Sequence, residues 1–440
     1  MSAAPTVVAP RTGRRPPWGT PDADELAARG YVVDEYTLEG VARGYELTQP
    51  GGAPVDGRWE VAPYAEAPYR TRLLVVRPEH PGHFNGTVVV NWQNVSAGAE
   101  PRTPAGDELY CGYAWVGVSA QEVGIHGFPA GMGRYGGRGR PLVVQDPARY
   151  GDLHHPGDQA SFDIFEQAGV AVGPRRSAVV DPLAGLAVRR LIATGGSQSA
   201  MRLVAYLNAF HLDAPVFDGF LLSVWEGRAP RPEEGAIASG VRTAIRSDLT
   251  TPVVVVNSEF EAHHLAGLPV TDTEHLRIWE VAGTPHGVAS GRAEQPDARR
   301  RVVNRLSIGP VHEAALRALH GWLTDGTPAP SQPRIAVDAP GRPTLRRDEL
   351  GNVVGGIRLP ELEAPTHEYH GVAFGTGRAP LFGAARPLDD EAVRARFPTR
   401  AAYVARWHDA VDALVATGAL RPEDAPATKA RVDEVSLPLP

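Results

Sequence analysis

The 440-residue chain is 42% apolar and 22% charged, a composition suited to a globular protein with a sizeable core. Its net charge of -7, with arginines and acids interspersed, leaves no basic footprint and excludes nucleic acid as the expected partner. No stretch approaches the roughly 20 apolar residues of a membrane span. The basic residues of "MSAAPTVVAPRTGRRPPWG" follow its short apolar segment, the wrong order for a signal peptide, so the expected compartment is the cytoplasm.

Cys111 is the only cysteine, which rules out intrachain disulfides, cysteine-rich zinc sites and iron–sulfur clusters held by one chain. Lys429 is the only lysine and lies in the polar tail "RPEDAPATKARVDEV". P-loop, Schiff-base and Ser–Lys chemistry would each need that one residue, and are not expected.

Along the chain, residues 1–30 read as an irregular arm rich in Pro, Arg and Ala. From Tyr31 to Pro78, alternating segments such as "YELTQP" and "YRTRLLVVRP" predict short antiparallel strands. "GTVVVNWQNV" (86–95) and "YAWVGVSAQ" (113–121) are β-branched runs of the kind buried in a parallel sheet, with a short helix expected from "TPAGDELY" between them. The Gly/Arg stretch 127–142 contains a formal G-x-G-x-x-G at Gly131, Gly133 and Gly136. It follows Pro129 rather than a strand, so it reads as a surface loop and no cofactor is expected.

"HPGDQASFDIFEQAGVAV" (155–172) predicts a turn, an Asp158 cap and a helix. "RLIATGG" predicts a strand, and "SQSAMRLVAYLNAFH" a helix with Met201, Val204 and Leu207 on one face. "FDGFLLSVW" (217–225), "TPVVVVNSE" (251–259) and "LRIWEVAG" (276–283) are three further strands, followed by an amphipathic helix at 312–323. Such alternation implies a parallel sheet. After Pro328 the texture becomes proline-rich and then largely helical over 388–437. The expected organisation is therefore an arm (1–30), a core (31–328) and a C-terminal extension packed on that core (329–440).

The stretch "TGGSQS" holds the chemistry. A serine between a strand and a helix has its hydroxyl lifted above the sheet edge, and the helix N-terminus offers N–H groups to a developing anion. So tight a turn needs small residues two before and two after the serine, and Gly195 and Ser199 supply them around Ser197. An ordinary helix cap would look the same locally. Order decides: "NSEFEA" places Glu259 and Glu261 after a later strand, and "TPHG" places His286 after the next, giving nucleophile, acid and histidine in sequence. If the strand continues, Glu259 and Glu261 share a side; counted from Pro252, Glu261 falls where the acid of a strand-end loop usually sits and is preferred narrowly, with Glu226 a third option. The oxyanion donors expected are the Gln198 N–H and an N–H within Gln93–Val95, at Asn94 or Val95. Trp92, Tyr110, His155 and Trp225, with Trp279, are candidate pocket walls, although packing accounts equally well for most of them. No histidine pair has metal-ligand spacing; "VHEAALRALH" has Leu316 where a second ligand would stand, so no metal is expected.

The segments "FNGTVVVNWQNVS", "HPGDQASFDIFEQAG", "IATGGSQSAMRL", "VFDGFL", "PVVVVNSEFEA", "RIWEVAGTPHG" and "GNVVGGIRLP" together resemble a bacterial family of α/β-hydrolase domain proteins, over about residues 70 to 360. The resemblance implies an α/β-hydrolase fold, a mostly parallel central sheet flanked by helices, with Ser197 as nucleophile and His286 as base. It also implies an acid within "SEFE", without choosing between the two glutamates, and says little of substrate. The expected function is hydrolysis of a small-molecule ester or lactone. Amide or thioester hydrolysis, acyl transfer, or ligand binding without catalysis are the alternatives, and the oligomeric state is left open.

Overall fold

The computed structural model describes residues 5–8, 11, 16–101, 106–128, 139–176, 179–212, 215–235, 239–288, 301–338, 344–372 and 379–438. Gly131, Gly133 and Gly136 lie outside them. The chain divides into two compact units, Met1–Val253 and Val254–Pro440.

Seven strands of the first unit form one sheet in the order β1-β2-β3-β5-β4-β6-β7. They are β1 (Thr6–Val8), β2 (Tyr31–Leu47), β3 (Val61–Pro78), β4 (Thr87–Trp92), β5 (Ala114–Val118), β6 (Arg190–Gly196) and β7 (Gly219–Ser223). The β5-β4-β6-β7 part is parallel, and β1, β2 and β3 extend it antiparallel. The parallel strands are the continuous apolar runs: Val88, Val90, Val116, Ile192 and Phe220 are fully buried, as strands covered on both faces must be.

Two readings change here. The short segments expected between Tyr31 and Pro78 merge into one long hairpin, with a register shift at Gly44/Tyr45. Pro63 and Pro68 do not interrupt it, because away from β2 the strand meets β5 through Leu73–Val76 and His154 at Arg70, and among the described residues no ladder reaches the two prolines on that side. Within the 1–30 segment, β1 pairs with β2, and Asp22 caps a short helix, α1 (Ala23–Ala28), by accepting from the Asp24 and Glu25 N–H groups.

Short helices α2 (Glu122–His126), α3 (Leu142–Gln145) and α4 (Pro147–Tyr150) precede α5 (Ser161–Val172), which lies against β2 and β4. Helix α6 (Gln198–Ala209) packs on β6 and β7, and a two-residue pair, β8 (Arg228–Ala229) and β9 (Val241–Arg242), follows. Asp158 does not cap α5, whose N-cap is Ala160. It is buried and accepts instead from the Glu122 N–H at 2.8 Å, so it caps α2 across the fold.

The second unit opens with β10 (Val253–Ser258) and α7 (Glu259–Leu265), followed by β11 (Leu276–Val281), the sheet neighbour of β10. Then come β12 (Val302–Val303), α8 (Gly309–Asp325), α9 (Pro360–Glu363), β13 (His367–His370), β14 (Ala384–Pro387), α10 (Asp390–Arg396), α11 (Arg400–Ala416) and α12 (Ala425–Ala430). The chain beyond Pro328 lines β11: Trp279 Nε1 donates to the Pro330 carbonyl, Glu280 pairs with Arg334, and Val281 bridges to Ile357. Among the described residues no helix is long and apolar enough to cross a membrane.

His211, in the first unit, is 1% exposed, bonds Thr251 Oγ1 through Nε2 and packs edge-on against Phe220. Burial pushes its pKa down to about 4. The unfolded chain therefore takes up a proton near pH 6.5 that the folded chain refuses until about pH 4, so stability falls as pH drops through that window, by about 3 kcal/mol from this residue. Denaturant midpoints measured from pH 7 to pH 4 should fall less steeply in His211→Gln than in the wild type.

Candidate active site

In the first unit, β6 ends in two glycines and α6 starts one residue later, so the chain must reverse at Ser197. That residue has φ 57° and ψ -119°, a backbone conformation rare for a side-chain-bearing residue and a store of local strain. The turn is held at several points. Ser197 N–H donates to the Ser223 carbonyl at 2.9 Å, and Ser199 Oγ bonds both the N–H and the carbonyl of Gly196 at 2.9 Å. A Cβ on Gly195 would stand 3.0 Å from Leu203 Cδ1 and from Ser199, whereas one on Gly196 would meet nothing nearer than 3.7 Å. Gly195 and Ser199 are thus the two positions at which the turn needs small side chains.

The loop after β4 is tied to this elbow. Asn94 Nδ2 donates to the Gly196 carbonyl at 2.8 Å, and Asn94 Oδ1 accepts from the Ser96 N–H at 2.9 Å. Gln93 N–H is engaged by the Val118 carbonyl at 3.3 Å, which leaves Asn94 and Val95 as the candidate backbone donors of that loop. Beneath the elbow the Gln198 side chain is buried and donates to Gln121 Oε1 at 2.9 Å; the same oxygen accepts from Trp92 Nε1 at 3.0 Å. Gln121 passes the network to Asp158, which also meets the buried Arg202 at 3.3 Å. Sequence reasoning valued Gln198 for its backbone; its side chain has a structural role as well.

In the second unit the acid question has a geometric answer. The strand does not continue through "SEFEA": β10 stops at Ser258 and α7 begins at Glu259. On a helix, residues two apart point to nearly opposite sides, so the two glutamates part company. Glu261 Oε1 accepts from His286 Nδ1 at 2.6 Å. Its Oε2 accepts from the Ser258 N–H at 3.0 Å and the Ser258 hydroxyl at 2.6 Å, closing a capping box that fixes the carboxylate. Glu259 faces away, accepting from Arg347 Nη2 at 2.6 Å and from the Gly283 N–H at 3.1 Å. The pattern S-x-x-E at Ser258–Glu261 is a helix-start signal that sequence reasoning passed over. Because a carboxylate only accepts, the His286 hydrogen sits on Nδ1 and the Nε2 lone pair is the basic one.

The remaining candidates fall mostly into packing. Trp92 is fully buried against Phe162 and Phe165, and Trp225 and Trp279 are fully buried with their indole N–H groups on carbonyls. Tyr110 sits edge-on to Tyr31 beneath the Arg29 guanidinium. His155 is buried, with Nε2 on the Ala120 carbonyl at 2.9 Å and Nδ1 accepting from the Gly157 N–H at 3.2 Å. Burial holds its pKa below the ordinary value although Asp158 pulls the other way. Both ring nitrogens of His155 are thus engaged, one by the Ala120 carbonyl and one by its own turn. Glu226 belongs to the first unit and is half-buried.

The sequence matches the α/β hydrolase domain family over residues 3–430. The chain belongs to that family. No curated protein matches this α/β hydrolase. Similar solved structures include a candidate acetyl xylan esterase from Bacteroides fragilis, 10% identical, covering 64% of this chain and 70% of that one, with a TM-score of 0.28. A candidate dienelactone hydrolase from Klebsiella pneumoniae is 12% identical over 56% of this chain and 85% of that one, with a TM-score of 0.25. Oligopeptidase B from Leishmania major is 12% identical over 57% of this chain and only 33% of its own, with a TM-score of 0.29. The expected fold class is borne out by the whole-length family match; similarities this low add nothing about substrate.

The imidazole makes a measurable prediction. In protein labelled with 15N-histidine, the His286 Nδ1–H proton should resonate far downfield, as a short charge-assisted hydrogen bond requires. The signal should vanish in Glu261→Gln and persist in Glu226→Gln.

Proposed function

We propose that this α/β hydrolase cleaves small carboxylic esters or lactones through an acyl-enzyme, with Ser197 as nucleophile, His286 as general base and acid, and Glu261 as the orienting carboxylate. The observation that carries the reading is the His286 ring. Its Nδ1–H is committed to a fully buried carboxylate at 2.6 Å, which leaves Nε2 as a base in a fixed tautomer. The strained backbone at Ser197 on a strand-to-helix turn supports the same reading, since such a turn presents a hydroxyl rather than burying it.

In this reading His286 Nε2 accepts the Ser197 Oγ proton as the oxygen attacks the substrate carbonyl. The imidazolium formed is stabilised by Glu261, which holds its own charge against Ser258 and does not take the proton. The oxyanion is held by the Gln198 N–H at the start of α6 and by the Asn94 or Val95 N–H. Each donor contributes roughly 3 kcal/mol to lowering the barrier. Asn94 supports this assignment from its side chain, because its bond to the Gly196 carbonyl ties the loop to the elbow. His286 then returns the proton to the leaving alcohol, and water repeats the sequence on the acyl-enzyme.

Turnover of p-nitrophenyl esters of graded chain length tests the reading. Ser197→Ala and His286→Ala should each lower kcat by at least about 10⁴-fold. Turnover that survives Ser197→Ala contradicts the assignment. Faster cleavage of the matched anilide or thioester, or acyl transfer to an added alcohol in place of hydrolysis, moves it to the corresponding alternative.

A further inference from the structure

His286 closes a short loop, Gly283–His286, after β11. Thr284 Oγ1 reaches back to the Val281 carbonyl at 2.7 Å. Glu259, from the start of α7, adds two further hydrogen bonds to Gly283 and Thr284. The Glu259 N–H donates to the Thr284 carbonyl at 3.1 Å, and Glu259 Oε2 accepts from the Gly283 N–H at 3.1 Å. One residue thus grips two successive residues of the loop.

Glu259 is fully buried, and a carboxylate in that position needs a counter-charge. Arg347, 88 residues downstream, supplies it at 2.6 Å and is itself fixed by donating to the Gly351 carbonyl at 2.7 Å and the Tyr369 carbonyl at 3.3 Å. Two further groups from beyond residue 300 close on the same loop. Asn304 Nδ2 donates to the Gly283 carbonyl at 2.6 Å and to the His370 carbonyl at 3.1 Å. Gly371 passes so near that a Cβ there would lie 2.6 Å from the Thr284 carbonyl and 2.9 Å from the Phe260 nitrogen.

We propose that the Glu259–Arg347 pair is a positioning device for the base: it sets the Gly283–His286 loop so that Nδ1 meets Glu261, and it makes the chain beyond residue 328 part of the catalytic apparatus. The proposal rests on His286 being the base. The pair also resolves a problem that the sequence creates. Two carboxylates start one helix, and only one can serve the imidazole. Arg347 and the Gly283 N–H occupy Glu259, while Ser258 and His286 occupy Glu261. Without Arg347, a bare buried carboxylate would stand two residues from the acid and would have to take up a proton or move, and the loop would lose its ionic anchor.

The test compares full-length Arg347→Ala, Arg347→Lys and Glu259→Gln, using p-nitrophenyl acetate turnover, the His286 Nδ1–H resonance and thermal melting. Displacement of the base by an ångström costs about 100-fold, so Arg347→Ala should lower kcat by about that factor while KM changes by less than about threefold. Its Nδ1–H resonance should broaden or disappear in a protein that still melts cooperatively. Arg347→Lys keeps a cation against Oε1 and should recover the resonance and kcat to within about tenfold of wild type. An unchanged resonance with unchanged kcat in Arg347→Ala overturns the proposal. So does a loss that Arg347→Lys leaves unrepaired. If Arg347→Ala does not fold, Glu259→Gln decides. Loss of kcat and resonance with an intact melt supports the clamp, and wild-type values overturn it. Absence of turnover in the wild type counts against the hydrolase reading alone, because the resonance still reports on the clamp.

Discussion

A buried carboxylate bonded to an imidazole survives only if both of its oxygens find donors. Glu261 meets that constraint with three donors, from Ser258 N–H, Ser258 Oγ and His286 Nδ1. Much of the second unit follows from it. The apolar run of β10 must stop at Ser258 so that a helix can begin, because only the first turn of a helix brings a residue at the third position back to its own cap. The chain of β11 must end opposite that turn, and the loop after it must be stiff enough to hold an imidazole at hydrogen-bond distance. Residues remote in sequence supply the stiffness.

The first unit meets a different constraint at the corresponding strand end. Ser197 occupies a backbone conformation that costs on the order of 1–3 kcal/mol, and such strain persists only where the surroundings over-determine it. Here they do so through the Ser223 carbonyl, the Ser199 hydroxyl and the Asn94 amide, with the close approach at Gly195 leaving no room for a side chain. The Ser197 turn is held by a strained backbone and its bonds, the Glu261–His286 pair by buried charge.

Much of this was legible in the sequence, and the parts that were not have physical reasons. The parallel strands announce themselves because strands buried on both faces are short and apolar, as "TVVVNW" is. The elbow was legible because its sterics demand small residues at fixed spacing. The long hairpin was read as fragments because Gly40, Gly44, Pro63 and Pro68 punctuate it; a local pattern does not reveal that, among the described residues, no ladder reaches the two prolines on one side. Asp158 looked like a cap for its own helix and caps another, a choice made by tertiary packing. The choice between the two glutamates stays narrow on a period of two, because the chain has already changed to a period of 3.6, a change that Ser258 at the capping position signals. Arg347 had no signal to offer, since its role exists only once 88 residues of chain have folded back.

The central claim is that Ser197 is a nucleophile activated by His286 and Glu261, and covalent trapping tests it most directly. Purified protein treated with a fluorophosphonate and digested for mass spectrometry should carry one adduct, on Ser197. The rate of its formation should collapse in His286→Ala and fall in Glu261→Gln, while Ser197→Ala should take up none. An adduct on another residue, or labelling at an undiminished rate in His286→Ala, would contradict the account.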